Sequence, residues 1–455
     1  MASSKRMQPD RQSGLFMRYL FFTIICLFFS RIGIAAEQLP ALQGTPSSVT
    51  SQIESVDETL PVAVPEPSAK ALAHYRSGTV LWCIRTIWEL WLPILFLFTG
   101  FSARLREFAR KIGRHWFWAM CIYFVVLVVL NYLLSLPLAY FQGFIRPHAY
   151  NLSNQTLAKW FTDSLKELGL VLVLGCLFLW IPYLLLKKSP RRWWLYASLA
   201  MVPIYFFVVM IQPVVMAPMF NQFTPVKDKA LEAKIMALAE RAGIHGAGIY
   251  EVNKSVDTKT ANAYVSGFLG TKRIVLWDTI IAQLNERELM FVLGHEMGHY
   301  ALNHVVKGIL CLSVLTLVAF YGVHVAASFL LRRFSRYFGF DQLSDLASLP
   351  LLVLLINVFS LVLTPIGFAY SRHLEHEADR FGLELTHYNH SAGTGFVKLQ
   401  QQSLGVPWPG LVYTIWRATH PSNGERVEFF NEYKPWLKHE PSRYEAYFTP
   451  EQPKK

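Results

Sequence analysis

Charge is what this sequence has least of. Asp, Glu, Lys and Arg make up 16% of 455 residues, against roughly 25% in an ordinary soluble domain. Cysteine is scarce too. Cys26, Cys83, Cys121, Cys176 and Cys311 all fall inside apolar stretches. They read as small buried hydrophobes, which excludes a disulfide framework and cysteine-ligated zinc. No internal repeat appears. The net charge of +12 does not point to nucleic acid, because the basic residues come in short runs between apolar segments, as membrane topology signals do.

Apolar residues are abundant at 53%, with 13 Trp, 20 Tyr and 33 Phe, a composition that suits membrane spans flanked by interfacial aromatics. Segments at about 80–103, 117–141, 168–186, 193–215, 306–331 and 349–371 each approach the ~20 apolar residues that cross a bilayer. Residues 1–36 carry Lys5, Arg6, Arg11 and Arg18, an apolar run from Tyr19 to Phe29, and then small residues. That layout is a signal peptide or an N-terminal anchor helix. Residues 37–79 begin rich in Pro, Ser, Thr, Glu and Ala and are expected to be a disordered linker. A four-helix membrane region (80–216) follows, then a polar block (217–305), two further spans (306–371) and a second polar block (372–455).

The first polar block has mixed α/β character. Leu231, Ile235, Leu238, Ala239 and Ala242 repeat at helical spacing, and Gly243 closes that helix. Residues 248–252, 263–269 and 273–277 read as strands, the last two joined as a hairpin through Gly270-Thr271.

The chemistry begins at His295-Glu-Met-Gly-His299. Residues four apart share a helix face, so His295 and His299 can grip one ion. Glu296 stands beside them, where a carboxylate can take a proton from an activated water. Asn285 is placed to cap this helix and Glu288 to reach back to the cap. A catalytic zinc takes three protein ligands. The best third candidate is Glu375, with Glu377, His373 and His376 as competitors. Asp379 lies one turn after Glu375, where it can fix the tautomer of a ligating histidine. His420 and Arg426 are candidates to assist at an oxyanion. Asn262-Ala263-Tyr264 opens the candidate edge strand along which a peptide could pair. These residues imply one Zn2+ per chain and hydrolysis of peptide bonds.

The chain resembles the type I CAAX prenyl endopeptidases, integral-membrane zinc metalloproteases of the gluzincin kind. The likeness rests on Pro218 to Pro225, Asn262-Ala-Tyr264, Lys272 to Asp278, His295 to His299, Glu375 to Asp379, and His420-Pro421 with Glu425-Arg426. It implies His295, His299 and Glu375 as zinc ligands, Glu296 as base, and Asp379 behind them. It also implies Asn262 and His420 near bound peptide, and Arg426 in the lining of the site. The expected fold is mainly α: a polytopic membrane helix bundle around a chamber, with a small α/β metallopeptidase domain. Departures from the family pattern are Ser422-Asn423-Gly424 after Pro421, and His376 after Glu375.

Counting crossings puts Arg104 to Arg114, Lys187 to Arg192 and Arg332 to Arg336 on one side, which the positive-inside rule makes cytoplasmic. The expected location is a bacterial inner membrane with the zinc domain extracytoplasmic. The alternative is the endoplasmic reticulum with a cytosolic zinc domain. Expected partners are a peptide or membrane-protein substrate and the lipid bilayer, with no nucleic acid, and the chain acting as a monomer. Two other readings are weighed. One is a non-catalytic transporter or holding protein with a structural zinc closed by four ligands. The other is a site-2-type intramembrane protease, opposed by the polar Asn285-Glu-Arg-Glu288 beside the histidines.

Overall fold

A computed structural model describes residues 56–266 and 272–448. The expected signal or anchor segment (1–36), the first part of the expected linker and the Gly270-Thr271 turn lie outside the described residues. Among those described, six helices are long and apolar enough to cross a membrane. The chain is a multi-pass membrane protein, mostly helical, with one small mixed sheet.

Helix α1 (Ala69–Phe98) opens on a Ser68 cap and ends at Thr99. Gly100, at φ 67°, turns the chain into the amphipathic α2 (Phe101–Gly113). The apolar run read as continuing to residue 103 is therefore broken, because a left-handed backbone cannot continue a helix. Helix α3 (Trp116–Tyr140) and α4 (Leu157–Phe178), extended by Trp180–Lys188, form an antiparallel pair. Helix α5 (Trp193–Ile211) completes the first membrane region.

The polar block that follows supplies β1 (Phe223–Pro225), α6 (Lys229–Arg241), β2 (Gly248–Val252), β3 (Ala263–Ser266) and β4 (Arg273–Trp277). The sheet order is β1-β2-β4-β3, with β2 and β4 parallel and β3 antiparallel to β4. Central β4 is buried on both faces from Ile274 to Trp277, as a continuous apolar run requires. β3 is an edge strand. Helix α7 (Glu286–Ala301) follows, with the full reciprocal cap between Asn285 and Glu288.

Two long helices carry the chain through the bilayer and back. α8 (His304–Phe338) has 35 residues, about 50 Å at ~1.5 Å per residue. α9 (Leu349–Thr386) has 38 residues and runs unbroken past position 371. The boundary expected between the last span and the second polar block thus falls mid-helix. The C-terminal part adds α10 (Asn389–Gln402), α11 (Leu411–Trp416) and α12 (Asn423–Glu432). Pro365 sits inside α9 and cannot donate to the Leu361 carbonyl. The Trp416 indole donates to that carbonyl instead, at 3.1 Å.

The loops carrying the basic clusters converge at one end of the bundle. Arg106 pairs with Asp345 at 2.7 Å. Ser102 donates to the Ala347 carbonyl, and the Tyr183 hydroxyl to that of Leu346. His304, Glu375 and the sheet domain occupy the other end.

The linker expectation is corrected over its described part. Residues 56–68 are strapped to the C-terminal part rather than free. The Val62 backbone exchanges two hydrogen bonds with the Asn431 side chain, Glu58 accepts from Ser391, and α1 begins eleven residues before position 80. A polar stretch without periodicity cannot build its own core, yet it can satisfy its backbone on another surface.

Candidate metal centre

The site forms where α7 crosses α9. Their approach depends on glycine at the crossing. Gly294 and Gly298 lie on α7 and Gly382 on α9, and a Cβ at Gly382 would stand 2.9 Å from the His295 amide nitrogen. With the backbones this close, side chains from the two helices converge. His295 Nε2 is 3.1 Å from His299 Nε2. One Glu375 oxygen is 3.3 Å from His295 Nε2, and the other is 3.4 Å from His299 Nε2. Donors held at ~2.05 Å by a tetrahedral ion stand about 3.3 Å apart, close to the spacing of the two histidine nitrogens and of each nitrogen from its own Glu375 oxygen. Among the described residues this metal-capable group has three members, His295, His299 and Glu375. A site closed by four protein donors is not what they form.

The surrounding charges ask for a cation. Glu375 is buried, with one carboxylate oxygen against each ligand-histidine nitrogen. Burial opposes charge on His295, yet hydrogen bonds to Asp379 and Glu375 outweigh it and raise the imidazole to about 9. A metal ion supplies that positive charge in place of a proton. Glu296 is 7% exposed, and its burial pushes the carboxyl up to about 7, against a smaller pull from the two histidines.

Asp379 anchors His295. Its Oδ1 is 2.9 Å from His295 Nδ1, which leaves Nε2 facing the donor cluster. Arg426 grips the same carboxylate through Nε at 2.8 Å and through Nη2. Its guanidinium also lies 4.3 Å above the Phe396 ring. Arg426 also reaches the edge of the donor cluster, with Nη1 3.9 Å from Glu375 Oε2. It is 1% exposed and stands behind the ligands as the counter-charge of Asp379, because a buried carboxylate without one is too costly.

His420 is buried, with Nε2 3.1 Å from Glu375 Oε1 and Nδ1 2.8 Å from Thr419 Oγ1. Burial lowers its imidazole, opposed by the Glu375 charge, so it sits neutral beside the cluster. Ser422 caps α12 reciprocally with Glu425, which accounts for the polar residues after Pro421. His376 packs on Phe429 at 4.2 Å, away from the donors. Asn262 is buried at the start of β3, and its carbonyl accepts from Trp277. Ala263 and Tyr264 follow on the edge strand, paired to Leu276 and Val275.

His304 escapes sequence reading, and Glu377, expected only as a competing third ligand, takes a different place. His304 Nδ1 is 2.9 Å from His299 Nδ1, and Glu377 lies 3.5 Å beyond His304. His304 is five residues from His299, a spacing that no single helix brings together. Only the break at Asn303, which adopts φ 56°, folds it back.

A bundle of membrane helices carrying a histidine-glutamate metal cluster at one end defines an integral-membrane metalloprotease. The sequence matches peptidase family M48 over residues 225–434 and the CAAX prenyl protease N-terminal region, described as five membrane helices, over residues 60–222. The chain belongs to peptidase family M48, and it is a metal-dependent hydrolase of peptide bonds. It is 35% identical to the Bacillus subtilis (strain 168) "uncharacterized metalloprotease YhfN" over 81% of this chain and 87% of that one. It is 30% identical to a Dictyostelium discoideum "CAAX prenyl protease 1 homolog" over 79% of this chain and 83% of that one. The crystal structure of S. mikatae Ste24p has the same fold, with a TM-score of 0.72 at 22% identity, covering 82% of this chain and 92% of that one.

Proposed function

We propose that the metal is zinc, one ion per chain, held by His295, His299 and Glu375. The observation that carries this is the convergence of two histidine nitrogens and the Glu375 carboxylate, within 4.8 Å of one another, at the crossing of α7 and α9. Bound zinc supplies Lewis acidity, acidifying water and polarising a peptide carbonyl. Glu296 accepts the proton of the attacking water and returns it to the leaving amine. A carboxyl raised to about 7 is well matched to that exchange near neutrality. Asp379 keeps His295 in the tautomer that presents Nε2. His420, neutral and next to Glu375, is the candidate donor to the developing oxyanion. The substrate strand pairs along β3 from Asn262 to Tyr264.

The substrate is a peptide segment of a membrane-associated chain. The cluster stands where α8 enters the apolar region, so bonds close to the bilayer surface come within reach. Several relatives are named CAAX prenyl proteases, and a prenylated C-terminal peptide is one substrate to try. The convergence of the basic clusters at the opposite bundle end supports a cytoplasmic position for that end. The active site then faces outward from a bacterial inner membrane.

The decisive experiment compares purified protein with its Glu296→Gln variant on a panel of membrane-anchored peptides. Cleavage should need zinc, stop with chelator, and be lost in the variant while the metal remains bound. Cleavage by the variant at the normal rate would remove the mechanism. A reporter fused at the C-terminus should read as extracytoplasmic, and a cytoplasmic signal would reverse the orientation.

A further inference from the structure

We propose that His304 and Glu377 are positioning residues that hold the second metal ligand, His299, through a relay from carboxylate to imidazole to imidazole. The inference rests on the metallopeptidase reading above and adds what fixes its less buried histidine. His295 needs no such help, because Asp379 bonds it directly.

The geometry starts at the helix break. Leu302 and Asn303 end α7, and the left-handed Asn303 starts α8 at a new angle. His304 is thereby turned back onto His299. It is 4% exposed, with its ring centroid 5.0 Å from that of His299 and the planes at 75°. Its Nδ1 meets His299 Nδ1 at 2.9 Å. Two imidazole nitrogens at that distance need one proton between them.

Ligation decides which ring owns the proton. His299 faces the donor cluster with Nε2. A histidine that binds metal through Nε2 keeps its proton on Nδ1. His299 therefore donates, and His304 Nδ1 accepts. Neutral His304 then carries its own proton on Nε2. That atom is buried and has no hydrogen-bond partner. Glu377 Oε2 lies 3.5 Å from it and is the carboxylate that faces this N–H. Glu377 thus selects the His304 tautomer that leaves Nδ1 free to accept.

One short stretch of α9 therefore serves both ligand histidines. Glu375 belongs to the cluster itself, Asp379 fixes His295, and Glu377, on the other face, fixes His299 through His304. Glu377 has further neighbours: Lys307 at 3.4 Å, Arg443 at 3.6 Å, His373 at 3.8 Å and the Tyr444 hydroxyl at 3.4 Å. A purely structural Glu377 would serve only these.

The test measures metal affinity of the full-length protein in detergent, by competition with a graded chelator series and metal analysis of the protein. Unfolding of the metal-free protein is followed alongside. His304→Leu removes the acceptor and should weaken zinc binding about 10- to 100-fold. His304→Asn keeps an acceptor oxygen near the place of Nδ1 and should stay within about threefold of the parent. Glu377→Met should weaken binding by less than His304→Leu. Combined with His304→Leu it should add nothing, because it acts only through that ring. Lys307→Met should leave affinity unchanged. Equal zinc affinity in His304→Leu and parent would overturn the proposal, as would additive losses from His304→Leu and Glu377→Met. If His304→Leu does not fold, the Asn variant and Glu377→Met decide: unchanged affinity in Glu377→Met, or loss of binding in His304→Asn, would overturn it. Failure of the underlying metallopeptidase reading looks different, because the unaltered protein would then bind no zinc.

Discussion

Gly382→Ala is the substitution that tests most directly how the site is built. A methyl group at position 382 would stand 2.9 Å from the His295 amide nitrogen, 3.2 Å from its Cα and 3.2 Å from Phe291 Cε2. Two of these three atoms are backbone and cannot swing aside. Carbon contacts settle at about 3.5–4.0 Å, so α9 must retreat from α7 by roughly half an ångström or more. Glu375 lies seven residues earlier on the same helix, nearly two full turns, and hence on the same face. It moves with the backbone while His295 and His299 stay on α7. Metal-ligand distances tolerate only about ±0.2 Å.

The expected result is a folded protein with a damaged cluster. Overpacking should cost about 1–3 kcal/mol of stability, and zinc affinity should fall on the order of a hundredfold. Gly308→Ala in α8 is the matched control, because nothing lies within 4 Å of its Cβ position. In the second turn of that 35-residue helix the change should be neutral or stabilising by up to about 1 kcal/mol. The assay is zinc retained per chain across a chelator series, with thermal unfolding of the same samples. Wild-type zinc affinity in Gly382→Ala, with Gly308→Ala behaving as described, would refute the claim that helix approach sets the ligand geometry.

Glu296→Gln should keep its metal, measured as zinc per chain, and lose about 10²- to 10⁴-fold in cleavage rate. With the carboxylate as base, cleavage should rise with pH on its acid limb. The midpoint should lie at or below about 7, because a bound cation favours the charged carboxylate; a rate that falls as pH rises through this range would exclude that role. In the metal-free protein, burial raises the Glu296 pKa above its unfolded value, so its stabilising contribution is complete below about 4.5 and lost as pH rises through about 7. Metal-free Glu296→Gln should therefore be more stable than the parent at pH 8, by on the order of 3 kcal/mol at most, and denaturation should show most of that difference at pH 8 and about 1 kcal/mol or less of it at pH 5. Asp379→Asn should cost about 3–5 kcal/mol by stranding the buried Arg426 charge, and it should weaken zinc 10- to 100-fold. Pairing Asp379→Leu with Arg426→Met should recover folding in a denaturation series but not zinc affinity.

Local signals made half of this site legible. Asn285 and Glu288 state where α7 begins, and a four-residue repeat puts His295 and His299 on one face. The same spacing links Glu375 to Asp379. Strands β2 to β4 were legible from β-branched runs between glycines. Other features needed partners from distant parts of the chain. Gly294, Gly298 and Gly382 look like helix-weakening residues until the crossing is known. Arg426 carries no mark in sequence that separates a lining residue from one bonded to Asp379 from behind. Residues 56–68 have the composition of a free linker, yet Asn431 and Ser391 supply what their backbone and Glu58 need. Glu377 points away from Glu375 on a helical wheel, which is correct, and that face meets His304.

The site is governed by the packing of helices rather than by the choice of loops. Each donor sits on an element with a rigid attachment. His295 and His299 ride on a helix held by its cap and by the apolar core beneath Phe291 and Leu293. Glu375 rides on a single helix that begins beside Asp345, at the far end of the bundle. A shift or rotation of α9 within the bilayer therefore reaches Glu375 without a hinge to absorb it. The one soft point is Pro365, and there the Trp416 indole bonds the Leu361 carbonyl that the proline leaves free. That bond ties α11, and with it the turn leading to His420, to the membrane helix. Metal geometry and bundle geometry are then mechanically one quantity. This follows from placing a hydrolytic centre where a long transmembrane helix emerges, rather than on a domain tethered above the membrane.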